Sequence, residues 1–120
     1  MAFRVEFSPR ALEDLDEIAS YIEQRGSFKQ AEEWFNGIIA AIRTLEVMPG
    51  RCRVADESEE LGQEVRILLF GKRNRLYRVF YSIQHKTPST GTVQVFHVRH
   101  WARKRLNTNQ IRELMGDRPA

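Results

Sequence analysis

The stretch Glu64–Arg105, EVRILLFGKRNRLYRVFYSIQHKTPSTGTVQVFHVRHWARKR, decides the fold. Val65, Ile67 and Leu69 alternate with Arg66, Leu68 and Phe70, and Gly71-Lys72-Arg73-Asn74 then supplies a turn. Tyr77, Val79, Tyr81 and Ile83 alternate with Leu76, Arg78, Phe80 and Ser82. After a second turn, Lys86–Gly91, a third run places Val93, Val95 and His97 on one face and Phe96 and Val98 on the other. A period of two is the period of a strand, and links this short join antiparallel neighbours. The stretch therefore predicts a three-stranded meander.

Upstream, the pattern changes to helical spacing. Phe3, Val5 and Phe7 alternate with Arg4 and Glu6, which predicts one short strand. Ser8-Pro9 then opens a helix, because a serine hydroxyl accepts a free first-turn amide and proline has no N–H to leave unsatisfied. Ala11, Leu15, Ile18 and Ile22 form its apolar stripe, with Glu13 and Asp14 placed to favour the positive end of the helix dipole. Arg25-Gly26 ends it, and Ser27 caps a second helix whose stripe is Ala31, Trp34, Phe35, Ile38, Ile42 and Leu45. Pro49-Gly50 stops that helix. Arg51–Gly62 reads as a loop with an acidic run, and Asn107 caps a last short helix through Leu114. The order β-α-α-β-β-β-α predicts an α+β fold, an antiparallel sheet packed against an N-terminal helical hairpin. With no internal repeat or linker, one domain over residues 1–120 is expected.

Charge divides the chain. Residues 1–62 hold 7 Lys and Arg against 13 Asp and Glu, and residues 63–120 hold 12 against 3. An acidic helical half beside a basic sheet predicts a surface for a polyanion or an acidic partner. The single cysteine, Cys52, allows no internal disulfide. No apolar run reaches the roughly 18–20 residues of a membrane span, and MAFRVEFSPR has no signal-peptide core. The cytoplasm is the expected compartment, with no membrane contact.

The basic strands carry the candidate chemistry. Arg66, Arg75, Arg78, Arg99, Arg103 and Lys104 are set to meet phosphates, and Tyr77, Tyr81 and Trp101 to stack on bases. The plainer reading is a solvated sheet face on which arginine stems cover apolar surface. His97 and His100, three apart, are the candidate proton carriers, against the alternative of ordinary structural histidines. Cys52, between Arg51 and Arg53, is too isolated to read as a nucleophile. Zinc-type ligand spacing, a P-loop and GxGxxG are all absent from the sequence, so neither a metal nor a cofactor is expected.

Four segments, FSPRALEDLDEIASYI, LGQEVRILLF, LYRVFYSI and VQVFHVRH, together resemble the RelE/ParE superfamily of type II toxins, in order over residues 2–105. The resemblance implies a prokaryotic cytoplasmic toxin neutralised by a cognate antitoxin, as a homodimer or a heterotetramer with it. RelE-like members cleave mRNA on the ribosome without metal; ParE-like members poison DNA gyrase. Arg66 and Arg78 fall where RelE-like enzymes place basic residues, but Leu68 stands where many have a lysine, and no tyrosine lies near Asn107. The long hairpin with ALEDLDEIASYI is closer to the ParE-like branch. The expectation is a gyrase-binding toxin and not an enzyme. The alternatives are a metal-independent, ribosome-dependent RNA endonuclease, with Arg78, His97 and His100 catalytic, and an inactive nucleic-acid- or protein-binding homologue.

Overall fold

A computed structural model describes residues 2–56, 58–102 and 106–116. Strand β1 (Phe3–Phe7) leads into helix α1 (Pro9–Arg25), which turns back as α2 (Phe28–Arg43). Ser8 Oγ accepts the Ala11 amide at 3.0 Å and Ser27 Oγ the Gln30 amide at 3.1 Å, so both caps form where the sequence puts them. Two short 3-10 turns then lead to β2 (Arg53–Val54) and to α3 (Ser58–Leu61). Strands β3 (Arg66–Phe70), β4 (Tyr77–Thr87) and β5 (Thr90–His100) make the predicted meander, and α4 (Thr108–Gly116) closes the described chain. Asn107 caps α4 reciprocally: its Oδ1 accepts the Gln110 amide at 2.8 Å, and Gln110 Oε1 accepts the Asn107 amide at 2.9 Å.

The sheet order is β1-β5-β4-β3-β2. All neighbours are antiparallel except β1, which joins β5 in parallel, Phe3 opposite Gly91 and Phe7 opposite Val95. The expected antiparallel sheet thus gains a parallel outer strand. Arg51–Gly62 is not simply a loop: Arg53 and Val54 pair with Ile67 and Arg66, and Ser58 Oγ both accepts the Val65 amide and donates to its carbonyl.

Each face of the sheet buries its own core. The hairpin side holds Leu15, Ile38, Ile42 and Leu45 against Tyr77, Val79, Tyr81, Val93, Val95 and Val98. On the opposite side Ile111, Leu114 and Met115 of α4 cover Val65, Ile67, Phe80 and Phe96. One register break sets which residues face which core. Phe80 lies opposite His97 but Tyr81 lies opposite Val95, so Phe96 is an extra residue in β5, a bulge. Simple alternation puts His97 with Val93 and Val95. The bulge reverses this: Val98 joins the hairpin core, and His97 pairs with Phe80 on the other face.

Candidate functional site

The bulge falls where β1 runs out, and α1 takes over the edge of β5. Ser8 donates its amide to the Val95 carbonyl at 2.9 Å and its hydroxyl to the Phe96 carbonyl at 3.3 Å. One turn and a half further on, Asp14 Oδ2 accepts the Val98 amide at 3.0 Å and receives the His97 Nδ1–H at 2.6 Å. Its Oδ1 takes the Arg10 Nε–H at 3.1 Å. Asp14 is only 6% exposed and His97 4%. A buried carboxylate is stable when its lone pairs are filled, and this one serves a backbone amide, an imidazole and a guanidinium. Sequence reasoning placed Asp14 as a helix-dipole residue and missed this function. The signal was present: it sits three residues after Ala11 and one before Leu15, on the apolar stripe.

The other candidates are drawn into structure one by one. Arg66 donates to Glu64 at 2.7 Å, to the Gly50 carbonyl at 2.8 Å and to the Cys52 carbonyl, tying β3 to the segment before β2. Tyr81 is fully buried and its hydroxyl donates to the Pro49 carbonyl. Tyr77 lies in the same core, edge-on to Trp34 and to His100. Burial raises the Tyr77 hydroxyl above the ordinary 10.0, with nearby Arg75 pulling the other way. Burial also pushes Tyr81 far above the ordinary range, assisted by its contact with the Cys52 side chain. Both phenols therefore stay protonated at neutral pH. His100 donates Nε2–H to the Asn74 carbonyl at 2.7 Å and accepts the Ala102 amide on Nδ1 at 3.0 Å, which fixes the neutral tautomer.

Arg78 and Arg99 stand opposite each other across β4 and β5, on the face of His97. Arg78 is 7% exposed, its guanidinium 5.8 Å from the centre of the Phe80 ring and 5.4 Å from that of Trp101. Arg99 and His97 line a cleft of about 200 Å³ with Arg10, Gln110 and Glu113. Arg75 is exposed on the turn between β3 and β4. Arg103 and Lys104 lie outside the described residues. Arg78, His97 and Arg99 are thus brought to one face, and His100 is not. Among the described residues no three His, Cys, Asp or Glu side chains come together as a metal site, and no helix is long and apolar enough to cross a membrane.

The helical hairpin packed on one face of the meander is consistent with a RelE/ParE-like fold. The chain has that fold in common with a solved chain described as the chromosomal ParDE TA system from P. aeruginosa, with a TM-score of 0.64. The likeness covers 82% of this chain and 96% of that one, at 16% identity. No curated protein matches. The family comparison is more specific, matching residues 5–105 to the ParE toxin of the type II toxin–antitoxin system, parDE. The chain belongs to the ParE toxin family.

Proposed function

We propose that this chain is the toxin of a type II toxin–antitoxin pair, which binds a cognate antitoxin and arrests growth by protein–protein contact with DNA gyrase. The supporting observation is the state of its proton carriers. Tyr77 and Tyr81 are buried phenols, His100 has both ring nitrogens engaged, and His97 is held by Asp14 beneath the surface. The basic face therefore offers cations without an accessible acid–base pair among the described residues, which suits binding better than phosphodiester cleavage. The antitoxin reading draws on the charge division of the sequence and on the family, since an acidic, apolar segment that folds on binding complements a basic sheet. A cytoplasmic location belongs to the same proposal.

The test is induced expression followed by parallel assays of DNA supercoiling and of translation, with and without the neighbouring gene. Loss of supercoiling activity with translation intact is the expected result, and co-expression of the antitoxin should restore growth. Translation arrest with normal supercoiling would overturn the gyrase reading.

One observation favours the second reading, a ribosome-dependent endonuclease. Asp14 orients His97 through Nδ1, as a carboxylate does for a general base, and Arg99 stands beside it at the cleft. Under that reading His97→Gln abolishes mRNA cleavage while the protein stays folded; under the gyrase reading it leaves toxicity intact.

A further inference from the structure

From Val65 to Arg112 the sequence contains 11 Lys and Arg and no Asp or Glu. Three of these cations, Lys72, Arg73 and Arg75, lie together on the turn between β3 and β4, and all three are exposed. None of them takes part in an ion pair among the described residues. The turn that carries them is fixed from several directions. The Arg75 amide donates to the Lys72 carbonyl at 3.0 Å. Arg73 holds φ at 54° and Gly71 at +103°, and a Cβ on Gly71 would stand 2.0 Å from the Arg75 carbonyl oxygen. His100 Nε2 and the Trp101 amide then bind the turn to the end of β5, through the carbonyls of Asn74 and Leu76, each at 2.7 Å. This second pair of bonds ties the backbone of Trp101, whose side chain is 47% exposed, to the C-terminal end of the turn that carries the three cations. The Arg78 guanidinium packs against the indole from within.

We infer that this end of the sheet binds a single nucleic-acid strand, with backbone phosphates on Lys72, Arg73 and Arg75 and a base stacked on Trp101. Unpaired cations on a rigid turn meet phosphates without breaking internal ion pairs and with little ordering cost. A half-exposed indole braced by an arginine adds a flat face that any base can cover. An acidic peptide matches the charge but brings no planar group to that face. The inference goes beyond the antitoxin and gyrase contacts and does not depend on either.

The test is fluorescence anisotropy of a short labelled single-stranded oligonucleotide with the purified chain, titrated across salt. Three phosphate contacts give a log–log salt slope of about −2. Changing Lys72→Glu, Arg73→Glu and Arg75→Glu together should abolish saturable binding, and Trp101→Ala should weaken it about tenfold. Lys29→Glu, an exposed charge reversal on α2, is the control and should lower affinity only slightly. Thermal melting checks that each variant folds. Three results overturn the inference: no binding by the wild type at low salt, a triple variant that binds like the wild type, or Lys29→Glu weakening binding as much as Trp101→Ala. Displacement of the oligonucleotide by polyglutamate at equal charge concentration also overturns it, in favour of an acidic protein.

Discussion

The two halves of β5 continue one alternating sequence, yet their outer edges are closed by different means. From Gly91 to Val95 the edge is taken by the backbone of β1. From Phe96 to Val98 it is taken by side chains of the α1 segment, Ser8 and Asp14. Backbone pairing is nearly indifferent to side-chain identity, whereas a side-chain cap depends on one atom at one place. The first half should therefore absorb substitutions that the second half cannot.

Deleting Phe96 tests this most severely. Removing this extra residue keeps Val95 opposite Tyr81 and His97 opposite Phe80, so no inward residue changes side; it takes the buried Phe96 ring out of the core under α4 and straightens the edge that Ser8 and Asp14 cap. The deletion should cost about 4 kcal/mol or more in urea unfolding. A loss below about 1 kcal/mol would show that the bulge is incidental. Next comes Asp14→Ala, which leaves the Val98 amide and His97 Nδ1 buried without their acceptor. The expected loss is about 3 kcal/mol in urea unfolding, within the ~5–15 kcal/mol of a typical domain. Asp14→Asn, which keeps an oxygen for one donor, should lose less.

Tyr81→Phe removes the bond to the Pro49 carbonyl and should cost about 1 kcal/mol at neutral pH. The same variant carries a pH signature. Tyr77 and Tyr81 both titrate above the ordinary value of 10.0 when folded. Below that pH both phenols are protonated, folded or unfolded, and their full contribution is present. Above it the unfolded chain ionises first, so stability falls as pH rises. Tyr81→Phe should flatten that alkaline decline, and an unchanged slope beyond pH 10 would count against the assignment. The smallest effect is expected in the first half of the edge. Glu6→Ala in β1 breaks only its exposed pair with Arg4 and should shift stability by less than about 0.5 kcal/mol.

The sequence made the helical hairpin legible because local chemistry writes its ends: Ser8-Pro9, Ser27 and Pro49 act within a few residues of themselves. The meander was legible because its turns are short. Pairing of β1 with β5 left no such mark, since a parallel neighbour is chosen by the whole topology. Val54 and Arg53 were missed as a strand because two residues carry no period. The bulge escaped because alternation continues smoothly through Phe96, and only the loss of β1 as a neighbour makes an extra residue useful there. For the candidate site, residue type was readable and burial was not. Arg66, Tyr77 and Tyr81 are chemically apt for binding phosphates and bases, but Arg66 ties down a neighbouring segment and the tyrosines fill a core. Asp14 is the reverse case, an acid read only for its place on the helix dipole that proved central.

The contact between Ser8 and Phe96 joins residues 88 positions apart. A ribosome delivers the N-terminal strand and both hairpin helices long before their partner strand leaves the exit tunnel. Until β5 emerges, β1 has no neighbour and the hairpin has no sheet on which to close its core. Closure of so distant a contact is intrinsically slow, and it waits until β5 has been synthesised. The protein is therefore delivered all at once: a nascent or truncated chain that stops short of Val98 has no assembled surface with which to act on anything.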